Sequence, residues 1–272
     1  MKVINPPPSE NSYVYHYTQT DKVQNFILKN RTLRLNPFEK VNDPKEYKQF
    51  ELTCFTPVDS NISREVYESL TRKIELALKK DVKLACFSMD RPVSEEKLWS
   101  EPHTSRGWAK PSMWHHYGGE HDGVCLLFDR VKLNEALKRQ LPSAPLVHGK
   151  VAYSNQGAVP NDWVHPFSVD FVDSNEIDLR RATLKHLSRW AGRLYFEKLE
   201  DWSNETEYRW IYLDSVSGPR DVEFGDSLQA IVIGERVSET ARKNLIDECK
   251  SQNIEICLLG WRNGYPYPTP LW

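Results

Sequence analysis

Apolar and polar residues along this chain fall into short runs of period two and longer runs of period near 3.6. Tyr13-Val14-Tyr15-His16-Tyr17 is aromatic and β-branched and predicts a strand. Thr18 or Thr20 then caps a helix to about Asn30, with Val23, Phe26 and Ile27 on its apolar side. Thr32-Leu33-Arg34-Leu35 alternates as a short strand, and Asn36-Pro37 and Asn42-Asp43-Pro44 mark a loop. Val66, Leu70, Ile74 and Ala77 recur at helical spacing and predict an amphipathic helix over 63–80, closed by Lys79-Lys80. Residues 82–88, 123–128, 147–153, 228–234 and 254–259 read as further strands. Helices are predicted near 133–141, 175–199 and 237–252, the second with Leu184, Leu187, Ala191 and Leu194 on its apolar side.

Two stretches, 91–121 and 155–175, show little pattern. The first carries Trp99, Trp108 and Trp114, and an unpatterned segment that long is uncommon unless functional. Residues 1–12 form a Pro-rich lead-in. Residues 262–272 form an aromatic, extended tail that either packs back on the body or closes a site. Without an internal repeat or charged linker, the expectation is one α+β domain over 1–272 with seven or eight strands.

The stretch Trp202-Ser203-Asn204-Glu205-Thr206-Glu207-Tyr208-Arg209-Trp210 reads as another strand. Alternation puts Glu205, Glu207 and Arg209 on one face. Such a face is either a solvated surface with an Arg–Glu pair or a site for a positively charged transition state.

Charge and composition narrow the function classes. The 272 residues carry a net charge of −2, so no global basic field attracts nucleic acid and any DNA contact needs a local patch. One candidate is the stripe Arg181, Lys185, Arg189 and Arg193, at four-residue spacing on the 175–199 helix. It either tracks a phosphate backbone or is a solvated face flanked by Asp178 and Glu197. The five cysteines are scattered and read as reduced buried thiols. No CxxC or HxxxH spacing occurs, and adjacent His115 and His116 diverge on any regular element, so no metal is expected despite nearby His121. No apolar run has signal-peptide or membrane-spanning length. The expectation is a cytoplasmic protein with no membrane partner. The pattern carries no signal for oligomeric state.

Two smaller groupings carry chemistry. His16 and Thr18 share a strand face, where His16 is either a hydrogen-bonded core residue or a donor to a ribose or phosphate oxygen. Trp114 and Tyr117, three apart, share a face of a helical turn. They either sandwich a planar base or pack against the strand over 124–128.

Five motifs in order carry a resemblance: Tyr15-His16-Tyr17-Thr18, Asn42-Asp43-Pro44, Cys86-Phe87-Ser88, Met113-Trp114-x-x-Tyr117 with Gly123-Val124-Cys125, and Trp202-x-x-Glu205-x-Glu207-Tyr208-Arg209. From about residue 13 to 234 the chain resembles a bacterial family of uncharacterised domains. That family is in turn similar to the ADP-ribosyltransferase superfamily. The resemblance implies two antiparallel sheets around a central cleft with flanking helices. It also implies an active site with His16 from the first strand, Tyr117 as the aromatic residue from the middle, and Glu207 from a later strand. His16-x-Thr18 followed by a helix and Arg34 is similar to toxins that ADP-ribosylate DNA bases, and Glu205-x-Glu207 resembles the paired glutamates of the arginine-modifying branch. That branch's aromatic-Ser-Thr-Ser strand is matched only at Phe87-Ser88.

The implied chemistry is cleavage of a C1′–base bond through an oxocarbenium-like state. The first expectation is a DNA glycosylase acting without cofactor on a modified phage base in antiviral defence. The alternatives are an NAD-dependent ADP-ribosyltransferase acting on DNA or protein, and a catalytically silent nucleotide-binding module. Glu207 would stabilise the cation or activate water, Glu205 would assist, and Arg209 would orient both. His16 and Arg34 would hold phosphate or sugar, Trp114 and Tyr117 would stack on the extruded base, and Thr18 and Ser88 would complete the substrate contacts.

Overall fold

In the computed structural model the described residues are 12–41, 43, 46, 52–55, 63–92, 103–141, 146–155, 168–170, 179–214, 216 and 218–272. The chain opens with β1 (Tyr13–Gln19), whose two faces enter different apolar clusters: Val14 packs in one, Tyr15 and Tyr17 in the other. A helix over 20–30, α1, follows, with a π-helical turn at Val23–Ile27. The wide turn brings Val23, Ile27 and Leu28 inward and leaves Phe26 at 54% exposure, contrary to the expected 3.6-residue stripe. The chain continues through β2 (Thr32–Pro37), a 3-10 turn at Phe38–Lys40, and the short β3 (Thr53–Phe55). Next come the helix α2 (Arg64–Lys80) and β4 (Val82–Ser88).

In α2 the buried stripe is Tyr67, Thr71, Ile74 and Leu78, one position on from the expected Val66, Leu70 and Ala77. Two stripes at i, i+4 spacing compete on this helix. Packing against the helix over 179–195 selects the one with the larger side chains.

After β4 the chain returns through the short helix α3 (Pro111–His116) to β5 (Gly123–Asp129) and α4 (Arg130–Gln140). Asp129 caps α4 by accepting from the Val131 and Lys132 amides, so the helix starts three residues before its first expected apolar position. The expected single strand over 147–153 divides at Val151. β6 (Leu146–Lys150) joins the main sheet, whereas β7 (Ala152–Tyr153) pairs elsewhere. After β8 (Ser168–Asp170) comes α5 (Leu179–Tyr195), which stops before β9 (Glu197–Lys198) instead of running to residue 199. A 3-10 turn at Glu200–Glu205 then leads into β10 (Glu207–Leu213). The remaining elements are β11 (Arg220–Glu223), β12 (Leu228–Ile233), α6 (Glu239–Ser251), β13 (Glu255–Arg262) and β14 (Tyr265–Pro270).

This α+β architecture is built on one ten-stranded sheet in the order β11-β2-β4-β1-β5-β12-β13-β14, with β10 and then β6 branching from β4. Two two-stranded pieces, β3–β8 and β7–β9, accompany it. Two separate antiparallel sheets are therefore not what forms. The sheet is continuous, and its β12–β13 pair is parallel because α6 crosses between them.

The branch at β4 creates the cleft. β10 pairs with β4 over its full length, from Glu207↔Ser88 to Leu213↔Val82. Elsewhere β4 meets β1 only at Tyr15↔Ser88, and β2 only at Asn36↔Leu84 and Pro37↔Lys83. β1 and β2 thus part from one another along β4. The central strands β1, β5 and β12 are covered on both faces, by α1, α4 and α6 on one side and by residues 107–114 on the other. α2 and α5 cover the β4–β10 branch.

The expected tail is the edge strand β14. It packs back and contributes nothing to the cleft lining. The lead-in over 1–11, Asn42, Pro44, Cys54's side chain, Trp99 and most of 156–178 lie outside the described residues.

Tight backbone packing marks the end of β12. A Cβ built on Gly234 would lie 2.2 Å from the His121 carbonyl oxygen, backbone that cannot swing away. Gly234→Ala is expected to cost at least about 2 kcal/mol in urea denaturation. Gly192→Ala in α5, where nothing lies within 4 Å of the added carbon, is expected to add about 0.5–1 kcal/mol.

Candidate functional site

The cleft between β1 and β2 has a volume of about 210 Å³. Its walls carry His16 from β1 and Arg34 and Asn36 from β2, and its floor carries Lys198, Glu205, Glu207 and Arg209. Ser88 sits where these parts meet, being the β4 partner of both Tyr15 in β1 and Glu207 in β10.

Glu205 is not on the strand. It ends the 3-10 turn, and Thr206 follows in the left-handed region at φ 47°. For a non-glycine residue that conformation costs roughly 1–2 kcal/mol. The reversal brings both carboxylates onto Lys198, whose Nζ lies 2.7 Å from Glu205 Oε2 and 3.0 Å from Glu207 Oε2. Arg209 donates through Nε and Nη2 to the two oxygens of Glu207 at 2.7 and 2.8 Å. Its Nη1 donates to Glu46 Oε1 at 2.5 Å and to the Tyr195 carbonyl at 2.7 Å. All five side chains of this cluster are buried. The face that reads as either solvated or catalytic is therefore a buried ion cluster and not a solvated surface.

Electrostatics follow from this packing. Burial pushes the Glu207 carboxyl up, but the cations of Arg209 and Lys198 outweigh it and hold the pKa down at about 2. For Lys198 burial acts downward, and the carboxylates of Glu207, Glu46 and Glu205 win and raise it. Glu46 is raised, because burial there exceeds the pull of Arg209 and Lys198. Three carboxylates against two cations leave one formal negative charge.

Further hydrogen bonds surround the cluster. The Tyr117 hydroxyl donates to Glu205 Oε1 at 2.8 Å. The Glu207 amide donates to the Tyr153 hydroxyl at 2.7 Å, an arrangement set by β7 pairing with β9, which puts Tyr153 beside Lys198. Lys110 Nζ donates to Ser88 Oγ and to the Glu205 carbonyl. His16 Nδ1 lies 3.1 Å from the Cys86 carbonyl oxygen, which can only accept, so Nδ1 carries the proton. Burial lowers the His16 pKa and keeps the ring neutral near pH 7. Its Nε2 is therefore an acceptor, and the expected donor role is reversed.

The structure brings together His16, Arg34, Ser88, Tyr117, Glu205, Glu207 and Arg209. Other expected residues fall elsewhere. Thr18 is buried outside the cleft lining. Trp114 is 1% exposed, donates its indole N–H to the Trp108 carbonyl and packs edge-on to Tyr17, so it is a core residue and no stacking platform. Ser88 is fully buried with its hydroxyl committed to the Glu205 carbonyl at 2.6 Å, so it supports the floor and does not present a free hydroxyl. Arg34 is clamped by Asp221 of β11 at 2.8 and 3.0 Å. Arg181, Lys185, Arg189 and Arg193 are exposed on α5, outside the cleft lining, and Arg193 pairs with Glu197.

Sequence reasoning missed Glu46, Lys110, Tyr153 and Lys198. The usable signals were a lysine two residues past the apolar run Leu194-Tyr195-Phe196, and a glutamate two residues past Asn42-Asp43-Pro44. Among the described residues no group of three or more His, Cys, Asp or Glu side chains could hold a metal ion. Nor is any helix among them long and apolar enough to cross a membrane.

A family model described as a protein of unknown function, DUF2971, matches residues 113–210. The match contains Tyr117, Lys198, Glu205, Glu207 and Arg209, while His16 and Arg34 lie outside it. No curated protein and no solved structure matches the chain.

Removing one partner of a buried ion pair strands the other. Arg209→Met is expected to cost about 3–5 kcal/mol by urea denaturation. Arg34→Met, which breaks a half-exposed pair, should cost under about 1 kcal/mol. Because the folded Glu207 pKa lies below its ordinary 4.5, its contribution to stability is complete above that pH and is lost as pH falls toward about 2. Stability measured from pH 6 to 2 should fall less steeply in Glu207→Gln than in the wild type.

Proposed function

We propose that the protein is an enzyme that breaks the N-glycosidic bond between a sugar C1′ and a base, with a base in DNA as leaving group. The observation that carries this reading is the buried carboxylate pair Glu205–Glu207, with Glu207 held ionised, at the floor of a cleft whose wall presents neutral His16. The single formal negative charge left in the cluster complements the single positive charge that develops on the sugar ring. A carboxyl with a pKa near 2 is a poor general base at neutral pH, so Glu207 acts as an electrostatic stabiliser and not as the activator of water.

His16 takes the other part. Its Nε2 accepts the proton of a water that attacks C1′ as the C1′–N bond breaks, and that proton replaces the sugar on the departing base. Tyr117 fixes the Glu205 carboxylate. In this reading Lys185 and Arg189, exposed on α5, contact the DNA backbone together with Arg181, while Arg193 is engaged by Glu197. A modified phage base as target remains part of the proposal on the resemblance alone.

The second reading is an NAD-dependent ADP-ribosyltransferase. The parting of β1 and β2 over β4 favours it, because a cleft between strands with His16 on one side and Glu207 on the other is what the resemblance implies. The engaged Ser88 hydroxyl counts against it, since the one matched position of the aromatic-Ser-Thr-Ser strand has no free group for nicotinamide. Nucleotide binding with no reaction would mark a silent module.

The deciding assay incubates plain and base-modified DNA with the protein, with and without NAD, and follows released base and DNA mass by mass spectrometry. Base release without NAD is expected, and a mass gain that requires NAD would replace the first reading with the second. Glu207→Gln should lower the rate at least about 10²-fold with the fold retained by circular dichroism. Tyr117→Phe, which leaves the ion pairs intact, should lower it about tenfold.

A further inference from the structure

We propose that Lys110 is a positioning residue for Glu205, acting with Ser88 through the Glu205 backbone carbonyl and with Tyr117 through its carboxylate. The inference rests on the cleft being the site of anomeric-carbon chemistry.

Lys110 is 2% exposed and immediately precedes α3. Its Nζ donates to the Glu205 carbonyl at 2.8 Å and to Ser88 Oγ at 2.7 Å, and that hydroxyl donates to the same carbonyl at 2.6 Å. Both lone pairs of the carbonyl are thereby used. At the far end of the same helix, the Tyr117 hydroxyl donates to Glu205 Oε1 at 2.8 Å. Lys110 and Tyr117 are coupled through the helix backbone: the Met113 and Trp114 amides donate to the Lys110 carbonyl, and the Tyr117 amide to that of Met113. One two-turn segment thus grips the main chain and the side chain of a single glutamate.

The grip is placed where the backbone most needs it. Glu205 precedes the left-handed Thr206, and Met89's amide holds the Thr206 carbonyl at 2.9 Å. Packing alone does not explain an amine here. An apolar side chain would fill the space without desolvation cost, and Ser88 already satisfies one lone pair of the carbonyl.

Lys110 also responds to pH. Burial and the Arg91 cation lower its pKa to about 7, against Asp90, Glu205 and Cys125 acting upward, and Tyr17 from β1 lies against its backbone. A neutral amine still has two hydrogens for its two acceptors, so the grip survives deprotonation. What changes is the charge: the protonated form places a cation beside Glu205 and offsets the negative charge that the transition state requires. Activity is therefore expected to rise through about pH 7 as Lys110 loses its proton.

The test compares wild type, Lys110→Met and Ser88→Ala in base release across pH 5.5 to 9, alongside ¹³C NMR titration of the glutamate carboxyls. Lys110→Met should lower kcat about 10–100-fold with KM within about twofold, and abolish the rise near pH 7. Ser88→Ala should lower kcat less and keep the rise. If Lys110→Met does not fold, Lys110→Gln, which keeps a donor without a titrating charge, should retain part of kcat and lose the rise.

The NMR arm needs no substrate. In the wild type the Glu205 carboxyl signal should show a step near pH 7 that Lys110→Met removes. If that step appears but no DNA or NAD substrate reacts, the chemistry is wrong and the positioning stands. An unchanged kcat and pH profile in Lys110→Met, or a Glu205 signal with no such step, overturns the role of Lys110.

Discussion

The bidentate pair between Arg209 and Glu207 is the constraint on which the rest of this structure hangs. A guanidinium 1% exposed would be prohibitively costly unless every face met an acceptor. Glu207 takes two of its nitrogens, and Glu46 and the Tyr195 carbonyl share the third. Those partners come from β10, from the segment after β2, and from the end of α5. Lys198 in β9 then closes the cluster from the other side. Several elements remote in sequence must therefore assemble before the two cations can be desolvated. This ties formation of the cleft floor to completion of the fold. Hydrophobic clusters alone would tolerate slippage of α5 along β10, whereas the Tyr195 carbonyl bond fixes its position.

The cleft itself is a by-product of strand pairing. β4 is bonded along its whole length to β10, but on the other edge it meets β1 and β2 only at opposite ends. The intervening β4 backbone would be left with unmet polar groups, and His16 answers one of them by donating to the Cys86 carbonyl. That bond selects the tautomer and leaves Nε2 as the acceptor, so the topology of the sheet decides the chemistry of the histidine. At the far edge, Pro266, Pro268 and Pro270 recur at alternate positions of β14. The intervening residues make the ladder to β13, so the prolines lie on the outer side and leave it without N–H donors. The open edge of the sheet is thereby protected from pairing with another chain.

The strands β1, β5 and β12 were legible because each is buried on both faces and reads as an apolar run. Helix positions were legible too, but not which face packs. Val66 and Phe26 fit a 3.6-residue stripe yet face outward, since tertiary packing and a π turn decided between near-equal alternatives. At the cleft, His16, Tyr117 and Glu207 were expected together from the motifs, and all three line it. The position of Glu205 was not legible, because a left-handed Thr206 breaks the alternation on which the reading relied. Trp114 illustrates the converse. Three-residue spacing from Tyr117 put them on one face, but two adjacent turns of a six-residue helix can point one ring into the core and the next into the cleft. Lys110 lies in a segment without periodicity and Lys198 at the end of a stretch that reads as helix, and only distance relations in three dimensions reveal their roles.

The charge balance of the floor bears on which reactions it can support. Each carboxylate is already hydrogen-bonded, so none is a free nucleophile waiting for a ligand. A site built to form a covalent glycosyl intermediate would leave one carboxylate oxygen open and close to the sugar. Here the oxygens of Glu207 are shared with Arg209 and Lys198, and the useful quantity is the field of the whole cluster. A preorganised field of this kind stabilises a short-lived cation without being consumed by it. It also explains why the neutral partners matter. Tyr117 orients the Glu205 carboxylate without cancelling its charge, Tyr153 holds the Glu207 backbone by accepting from its amide, and Lys110, its pKa lowered to about 7, would in the proposed chemistry set how much of that charge is available.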